Sequence, residues 1–501
     1  MFYRLNRVFL SACFIACGHF AQAGVSEQFA DHTIVFRPAL PLENQPMEVE
    51  VSVKPDQQSE KPTVVTLFRD GQKIDSAEVV GEGNAVFKLS AGKNGFTDFR
   101  AELHYGDGTT ASVSRKAAVI TRPLYFYYYG YKDPALLNCQ WANVVQSLYP
   151  REKKPSPEYW RRRGVRVLNW ASGGKRYDPA VTEEKYLSGF TRYHQNNTDG
   201  FAMDELGGYD PEKMRSSNLH KAIRKYCQEY PEKFVALWNC GYLKPEVCSL
   251  MKTKYRGKYG ADLLLLEVYY NCVIPEFATM HPWRYFQHAI DVARQYDVLE
   301  QSLMGIGTRD FKNLYHNVNT TEDDLENQIR YIRTHAPEMP GIALFASYAN
   351  QELTAAVDRF TEKYFLSPVL TGYAEDFRLS DYTPKAGDTI TVSAFPVNIG
   401  GMDSGPVKVR FYDGDPALPG AEVIGEVALA TLPAQKLEYE TVTLRGKSVE
   451  RKVLNASPKS RVDLKWTPKR RGSHWITVEI VPENAADTLL ENVFSKRVFV
   501  R

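Results

Sequence analysis

The sequence predicts a multidomain α/β plus all-β chain: a central (β/α)8 TIM barrel flanked by N- and C-terminal immunoglobulin-like β-sandwiches. Three observations predict it. Eight short apolar runs alternate with helical stretches across residues 123–372, the rhythm and size of a parallel barrel. Residues 24–122 and 373–501 instead carry short alternating runs punctuated by turn residues, the pattern of antiparallel sandwiches. The length of 501 residues matches about three domains at roughly 100–200 residues each.

Residues 1–23 read as a signal peptide. Arg4 and Arg7 form a basic start, Val8 to Cys17 an apolar stretch, and Ala21-Gln22-Ala23 a small-residue cleavage site. Leu10-Ser11-Ala12-Cys13 also has lipobox chemistry, which keeps lipoprotein anchoring as a second route. It would leave an apolar core of about five residues, below the usual ~7–15. The expected location is therefore exported: periplasmic, cell-surface or extracellular.

Composition sets limits on partners. Hydrophobic residues at 43% and charged residues at 24% describe a folded chain. Basic and acidic residues number 62 and 60, and no basic block exists, so a nucleic-acid partner is not expected. No apolar run in the body is long enough for a transmembrane span. Five cysteines lie beyond the signal, Cys139, Cys227, Cys240, Cys248 and Cys272. Their spacing matches no zinc set, and buried thiols are favoured over a Cys240–Cys248 disulfide. Oligomeric state is not legible.

In residues 24–122, Met47 to Val53 and Thr63 to Phe68 alternate, with turns at Asp70-Gly71 and Gly106-Asp107-Gly108, and the count is six or seven strands. In the middle segment the runs are Leu124–Tyr129, Trp141–Gln146, Val165–Trp170, Gly200–Glu205, Phe234–Asn239, Leu263–Val268, Leu303–Thr308 and Ile342–Ser347. Helical stretches include Glu183–His194, Pro211–Glu229, Trp283–Tyr296, Glu322–Thr334 and Gln351–Phe365. A doubly wound open sheet is the rival fold, but no glycine-rich phosphate loop follows any run.

Active sites of such barrels lie at the C-terminal ends of the strands. Read in order, those ends offer Tyr127 and Tyr129, Asn169 and Trp170, Asp204 and Glu205, Trp238 and Asn239, Glu267 and Tyr269, and Tyr348. Rings that stack on pyranose faces, with acids and amides that bond hydroxyls, are what a sugar cleft requires. In the fourth run, alternation puts Phe201 and Met203 on one face and Gly200, Ala202 and Asp204 on the other. Asp204 then points into the mouth, and Glu205 lies just beyond. In the sixth run, Glu267 ends an apolar stretch on the parity of Leu263, Leu265 and Tyr269. A carboxylate there is costly to bury unless paired or used.

Two resemblances follow from these residues. The run Asp199-Gly-Phe-Ala-Met-Asp-Glu205 resembles the fourth-strand segment of glycoside-hydrolase barrels, most of all the α-galactosidase arrangement. That resemblance implies Asp204 as nucleophile and Glu267 as acid/base, at a place where the family usually carries Asp. A chitinase-like pattern also begins Asp-Gly, but its glutamate falls where this chain has Leu206. Asn398-Ile-Gly-Gly, Val407 to Pro416, Ile424-Gly425, Trp466 and Gly472 to Val478 resemble bacterial CARDB-type modules, which implies an accessory sandwich.

The sequence expectation is thus a secreted glycoside hydrolase acting on a polysaccharide or oligosaccharide, with Asp204 and Glu267 as the carboxylate pair and Glu205 as substitute for Asp204. Tyr127, Tyr129, Asn169, Trp170, Trp238, Asn239, Tyr269 and Tyr348 are the expected sugar contacts, with no cofactor and no metal. A non-catalytic glycan-binding adhesion protein and a polysaccharide lyase are the alternatives.

Overall fold

The computed structural model describes residues 32–501 apart from 54–61, 80–83, 130–138, 148–156, 172–176, 193–197, 207–210, 216, 253–258, 269–281, 308–320, 346–350, 445–446, 456–459 and 485–486. The signal-peptide reading, Cys272, Tyr269 and Tyr348 lie outside the described residues.

The first seven strands are β1 (His32–Arg37), β2 (Pro46–Val53), β3 (Pro62–Arg69), β4 (Gln72–Glu78), β5 (Asn84–Ser90), β6 (Gly95–Tyr105) and β7 (Thr110–Val119). They form two antiparallel sheets, ordered β1-β2-β5 and β4-β3-β6-β7. The alternation read from Met47 to Val53 is the reason: Met47, Val49 and Val51 meet Val65, Leu67, Phe99 and Leu103 in one core.

Eight parallel strands follow and close on themselves. They are β8 (Tyr125–Tyr129), β9 (Val144–Ser147), β10 (Arg166–Ala171), β11 (Gly200–Met203), β12 (Phe234–Cys240), β13 (Leu263–Glu267), β14 (Ser302–Gly307) and β15 (Gly341–Phe345). They are joined in sequence order, and β15 pairs with β8 from Gly341↔Tyr125 to Phe345↔Tyr129. The barrel replaces the rival open sheet. The second run is shifted relative to expectation: Trp141 and Asn143 precede β9. Asn143 accepts from the Phe126 amide and donates to the Leu124 carbonyl, so it ties the start of β8.

Both faces of the strands are apolar, as burial on two sides demands. Tyr127, Val144, Leu168, Ala202, Ala236, Trp238, Leu265, Leu303 and Ala343 fill the interior. Phe126, Val145, Val167, Phe201, Met203, Leu237, Leu264, Met304 and Leu344 face the outer helices. At the strand starts a repeated carboxylate bond fixes the register: Asp199 accepts from the Val167 amide at 2.7 Å and Asp262 from the Val235 amide at 2.8 Å.

Among the described residues a helix follows seven of the eight strands; most of the connection after β8, residues 130–138, lies outside the described residues. Helix starts are set by side-chain caps. Thr182 caps Glu183–Thr191, and Thr321 with Asp324 forms a capping box on Glu322–His335. The stretch expected as one helix, Pro211–Glu229, is two, Pro211–Arg215 and Asn218–Glu229. Ser217 accepts from the amides of Leu219 and His220 and starts a new helix there.

The chain ends in antiparallel sheets. Val407–Asp413, Glu422–Leu429, Gly472–Pro482 and Val493–Val500 form one, and Arg378–Leu379, Ile390–Ala394 and Val462–Trp466 another. Val392, Val409, Phe411, Trp466, Ile476 and Val478 share their core. No helix among the described residues is long and apolar enough to cross a membrane.

One buried acid makes the barrel's stability depend on pH. Asp358, on the helix Gln351–Thr361, accepts from the amides of Gln140 and Trp141 and from the Tyr128 hydroxyl. Burial pushes its carboxyl up to about 6 from 3.8; Glu362 adds to the rise, and the amide bonds oppose it. The folded chain therefore holds this proton where the unfolded chain has released it. Stability from this group is greatest near pH 4 and falls as pH rises toward 6, by about 3 kcal/mol in total. Asp358→Asn should flatten that decline. Urea midpoints measured for both proteins between pH 4 and 7 check this, and parallel pH slopes would refute it.

Candidate active site

The strand parity that fills the interior also selects what reaches the mouth. Gly200 and Ala202 face inward on β11, so Asp204 follows on the interior side just past the strand end. Its amide donates to the Ala171 carbonyl at 3.3 Å, which keeps the chain against β10, and its side chain is largely buried. Glu205 then turns sharply, with φ of +49°. For a residue with a long side chain this left-handed backbone costs about 1–3 kcal/mol. The strain is held by the next peptide, whose Leu206 amide donates to the Trp238 carbonyl of β12 at 2.7 Å.

Glu267 closes β13 opposite Cys240, on the interior parity of Leu263 and Leu265. The acids at the ends of β11 and β13 all act electrostatically on one phenol. Burial drives the Tyr129 hydroxyl well above its usual range, and after burial the causes are Asp204, Glu267, Tyr127 and Glu205 in that order. One side chain on β8 thus lies within electrostatic reach of all three carboxylates.

Below this rim sits an aromatic floor. Tyr127 and Trp238 meet edge to face at 5.7 Å, Trp238 and Tyr129 at 5.7 Å, and Tyr129 and Phe345 lie 4.9 Å apart. Gln146 of β9 bridges it: its Oε1 accepts from Tyr127 Oη at 2.5 Å and from Trp238 Nε1 at 2.8 Å. Trp238 Nε1 can only donate, which fixes the amide orientation, and the Tyr127 hydroxyl donates to the same oxygen. Gln146 is fully buried, and its Nε2 has no hydrogen-bond partner among the described residues. Reading strand ends by position missed this residue. Its signal was its parity with Val144 in Val144-Val-Gln-Ser147.

Several expected sugar contacts are placed elsewhere. Asn169 is on the outward parity of Val167 and Ala171, buried, and donates to Thr198 Oγ1 at 2.6 Å. Asn239 is on the outward parity of Leu237 and donates to the Gly241 carbonyl at 3.0 Å. Tyr127 and Trp238 do face inward, but at 0% and 1% exposure neither has a face to offer a ligand; they support the site from below. Tyr129 and Trp170 are half-buried on the inward parity, so these two retain accessible ring surface.

With this geometry in place, comparison with known proteins adds little. No family model matches the chain, and no curated protein matches it. Among solved structures the chain is similar to the chitinase ChiW of Paenibacillus sp. str. FPU-7, described as a cell-surface-expressed multi-modular enzyme. Identity is 11% and the TM-score 0.34, over 97% of this chain and 52% of that one. The chain therefore spans about half the length of that chitinase. A Paenibacillus sp. cycloisomaltooligosaccharide glucanotransferase shares 8% identity at a TM-score of 0.29, over 93% and 71% of the two chains. A CARDB domain from Pyrococcus furiosus shares 17% identity at a TM-score of 0.17, over 28% and 92%. Likenesses this remote carry no weight for function, which rests on the residues themselves.

The chemistry those residues allow is limited. Carboxylates at the ends of β11 and β13 are two strands apart around the rim, with a phenol from β8 within electrostatic reach of both. Two acids on opposite sides of a cleft can protonate a leaving oxygen and attack, or activate water, at the adjoining carbon. No Gly-x-Ser-x-Gly or P-loop motif occurs in the sequence.

Proposed function

We propose that the chain is an exported glycoside hydrolase acting on a polysaccharide or oligosaccharide. Residues 123–372 are its catalytic barrel, and residues 24–122 and 373–501 accessory sandwiches. The placement of Asp204 and Glu267 at the C-terminal ends of two barrel strands, on the parity that lines the interior, carries this reading. Asp204 attacks the anomeric carbon, and Glu267 protonates the leaving oxygen and then takes a proton from the incoming water. Tyr129 and Trp170 supply the ring surfaces at the rim. Glu205 lies next to the nucleophile and contributes to the negative field in which positive charge develops on the sugar.

The test is a panel of polysaccharides incubated with the purified protein and assayed for new reducing ends. Cleavage of at least one glycan supports the reading. Unsaturated products would show a lyase instead, and binding without cleavage would show a non-catalytic glycan receptor.

A further inference from the structure

We propose that Tyr177 and His220 are positioning residues for the acidic rim: together they clamp the Leu206 carbonyl and so hold the turn that presents Asp204 and Glu205. This rests on the hydrolase reading above and adds to it the device that fixes the carboxylates.

Among the described residues, five other than glycine have a positive φ. Asn44, Asp70 and Asp297 are types that visit this region readily. The other two are Tyr177, at +58°, and Glu205, at +49°, and they are one hydrogen bond and one residue apart. Tyr177 Oη donates to the Leu206 carbonyl at 3.0 Å. The Leu206 amide is already held by the Trp238 carbonyl, so the residue after the strained turn is pinned at both its N–H and its C=O. Remove the hydroxyl bond and the Leu206 carbonyl is free to swing, relaxing Glu205 and moving Asp204.

The hydroxyl has itself to be oriented. Having donated to Leu206, Tyr177 Oη accepts, and its neighbour is His220 Nε2 at 3.0 Å. The His220 ring meets Tyr177 edge to face at 5.5 Å and is buried, with 2% exposure. Burial lowers its pKa to about 4; Arg224 adds to the fall and Glu246 opposes it. The imidazole is therefore neutral at neutral pH, and the Tyr177 oxygen selects the tautomer with its proton on Nε2. His220 is in turn fixed by the Ser217 cap on its own amide. Neither residue acts on substrate; both act through the backbone of the rim.

The test compares Tyr177→Phe, His220→Ala and His220→Gln with a control, Tyr331→Phe. The control deletes a 2.6 Å hydroxyl bond to Gln287 on the outer helices. On a glycan that the wild type cleaves, Tyr177→Phe is expected to lower kcat by ~10-fold or more with KM nearly unchanged, because carboxylates misplaced by about 1 Å cost up to ~10²-fold. Its melting temperature should fall no further than that of the control. His220→Gln, whose amide can still donate to Tyr177, should recover most of what His220→Ala loses.

A crystal structure of Tyr177→Phe should show the Leu206 carbonyl rotated and the Asp204 carboxyl displaced. A wild-type kcat, or a crystal structure with Glu205 and Asp204 unmoved, would overturn the clamp. Equal losses in His220→Gln and His220→Ala would remove His220 from it. If the wild type cleaves no glycan, the hydrolase reading fails by itself, and the crystal structure still decides the clamp.

Discussion

Asp204→Asn and Glu267→Gln are each expected to lower glycan cleavage by ~10²–10⁴-fold while glycan affinity stays within a few-fold. Both substitutions are nearly isosteric, and neither disturbs the backbone bonds that hold the strand ends, such as the Asp204 amide to Ala171. What they remove is charge in one case and a transferable proton in the other. The two losses should respond differently to the leaving group. An aryl glycoside with an acidic phenol departs without protonation, so Glu267→Gln should recover much of its kcat/KM on that substrate, while kcat stays low because the glycosyl-enzyme still lacks the base for its hydrolysis. Asp204→Asn should stay impaired on both, because attack at the anomeric carbon is still missing. Glu205→Gln should cost far less than either. Kinetics on a natural glycan and on the aryl glycoside, with affinity from calorimetry, check all three. Wild-type turnover in Asp204→Asn or Glu267→Gln would sink the assignment, and abolition by Glu205→Gln alone would move the nucleophile one residue along.

How far the sequence reaches is clearest from the strand ends. Period-two alternation correctly faced Ala202 inward and Phe201 and Met203 outward, because β11 lies between two well-filled layers that punish a slip. The same alternation applied to β10 and β12 would have turned Asn169 and Asn239 outward, with Val167 and Leu237. Read by position along the run, they were assigned to the rim instead. Trp141 looked like the start of a strand because it is apolar, yet its indole donates to Glu362 at 3.1 Å and its amide to Asp358. Those bonds join residues more than two hundred positions apart, and no local pattern encodes them. The turn at Glu205 is equally silent in sequence. Glutamate gives no hint of a positive φ, and the residue that follows it, Leu206, is held by Trp238 at its N–H and by Tyr177 at its C=O.

Gln146→Leu is expected to destabilise the barrel by about 2–5 kcal/mol, since it strips the acceptor from two buried donors at about 1–3 kcal/mol each. Trp238 Nε1 is only a donor and can turn nowhere else without moving its ring. The Tyr127 hydroxyl can rotate, and the charge it senses nearby is Asp204. A lost bridge would therefore redirect that proton toward the proposed nucleophile and lower its reactivity. Gln146→Glu separates the two effects. It keeps an acceptor for both donors, but its charge would be fully buried, and burial raises the folded pKa of a carboxylate. That variant should be close to wild type in acid and lose stability as pH rises through its folded pKa. Urea midpoints across pH, with kcat on the same samples, test this. Wild-type stability of Gln146→Leu would mean that the floor does not depend on the amide. Activity should fall further than stability alone predicts, because Trp238 packs edge to face at 5.7 Å against Tyr129, the rim phenol within electrostatic reach of all three acids.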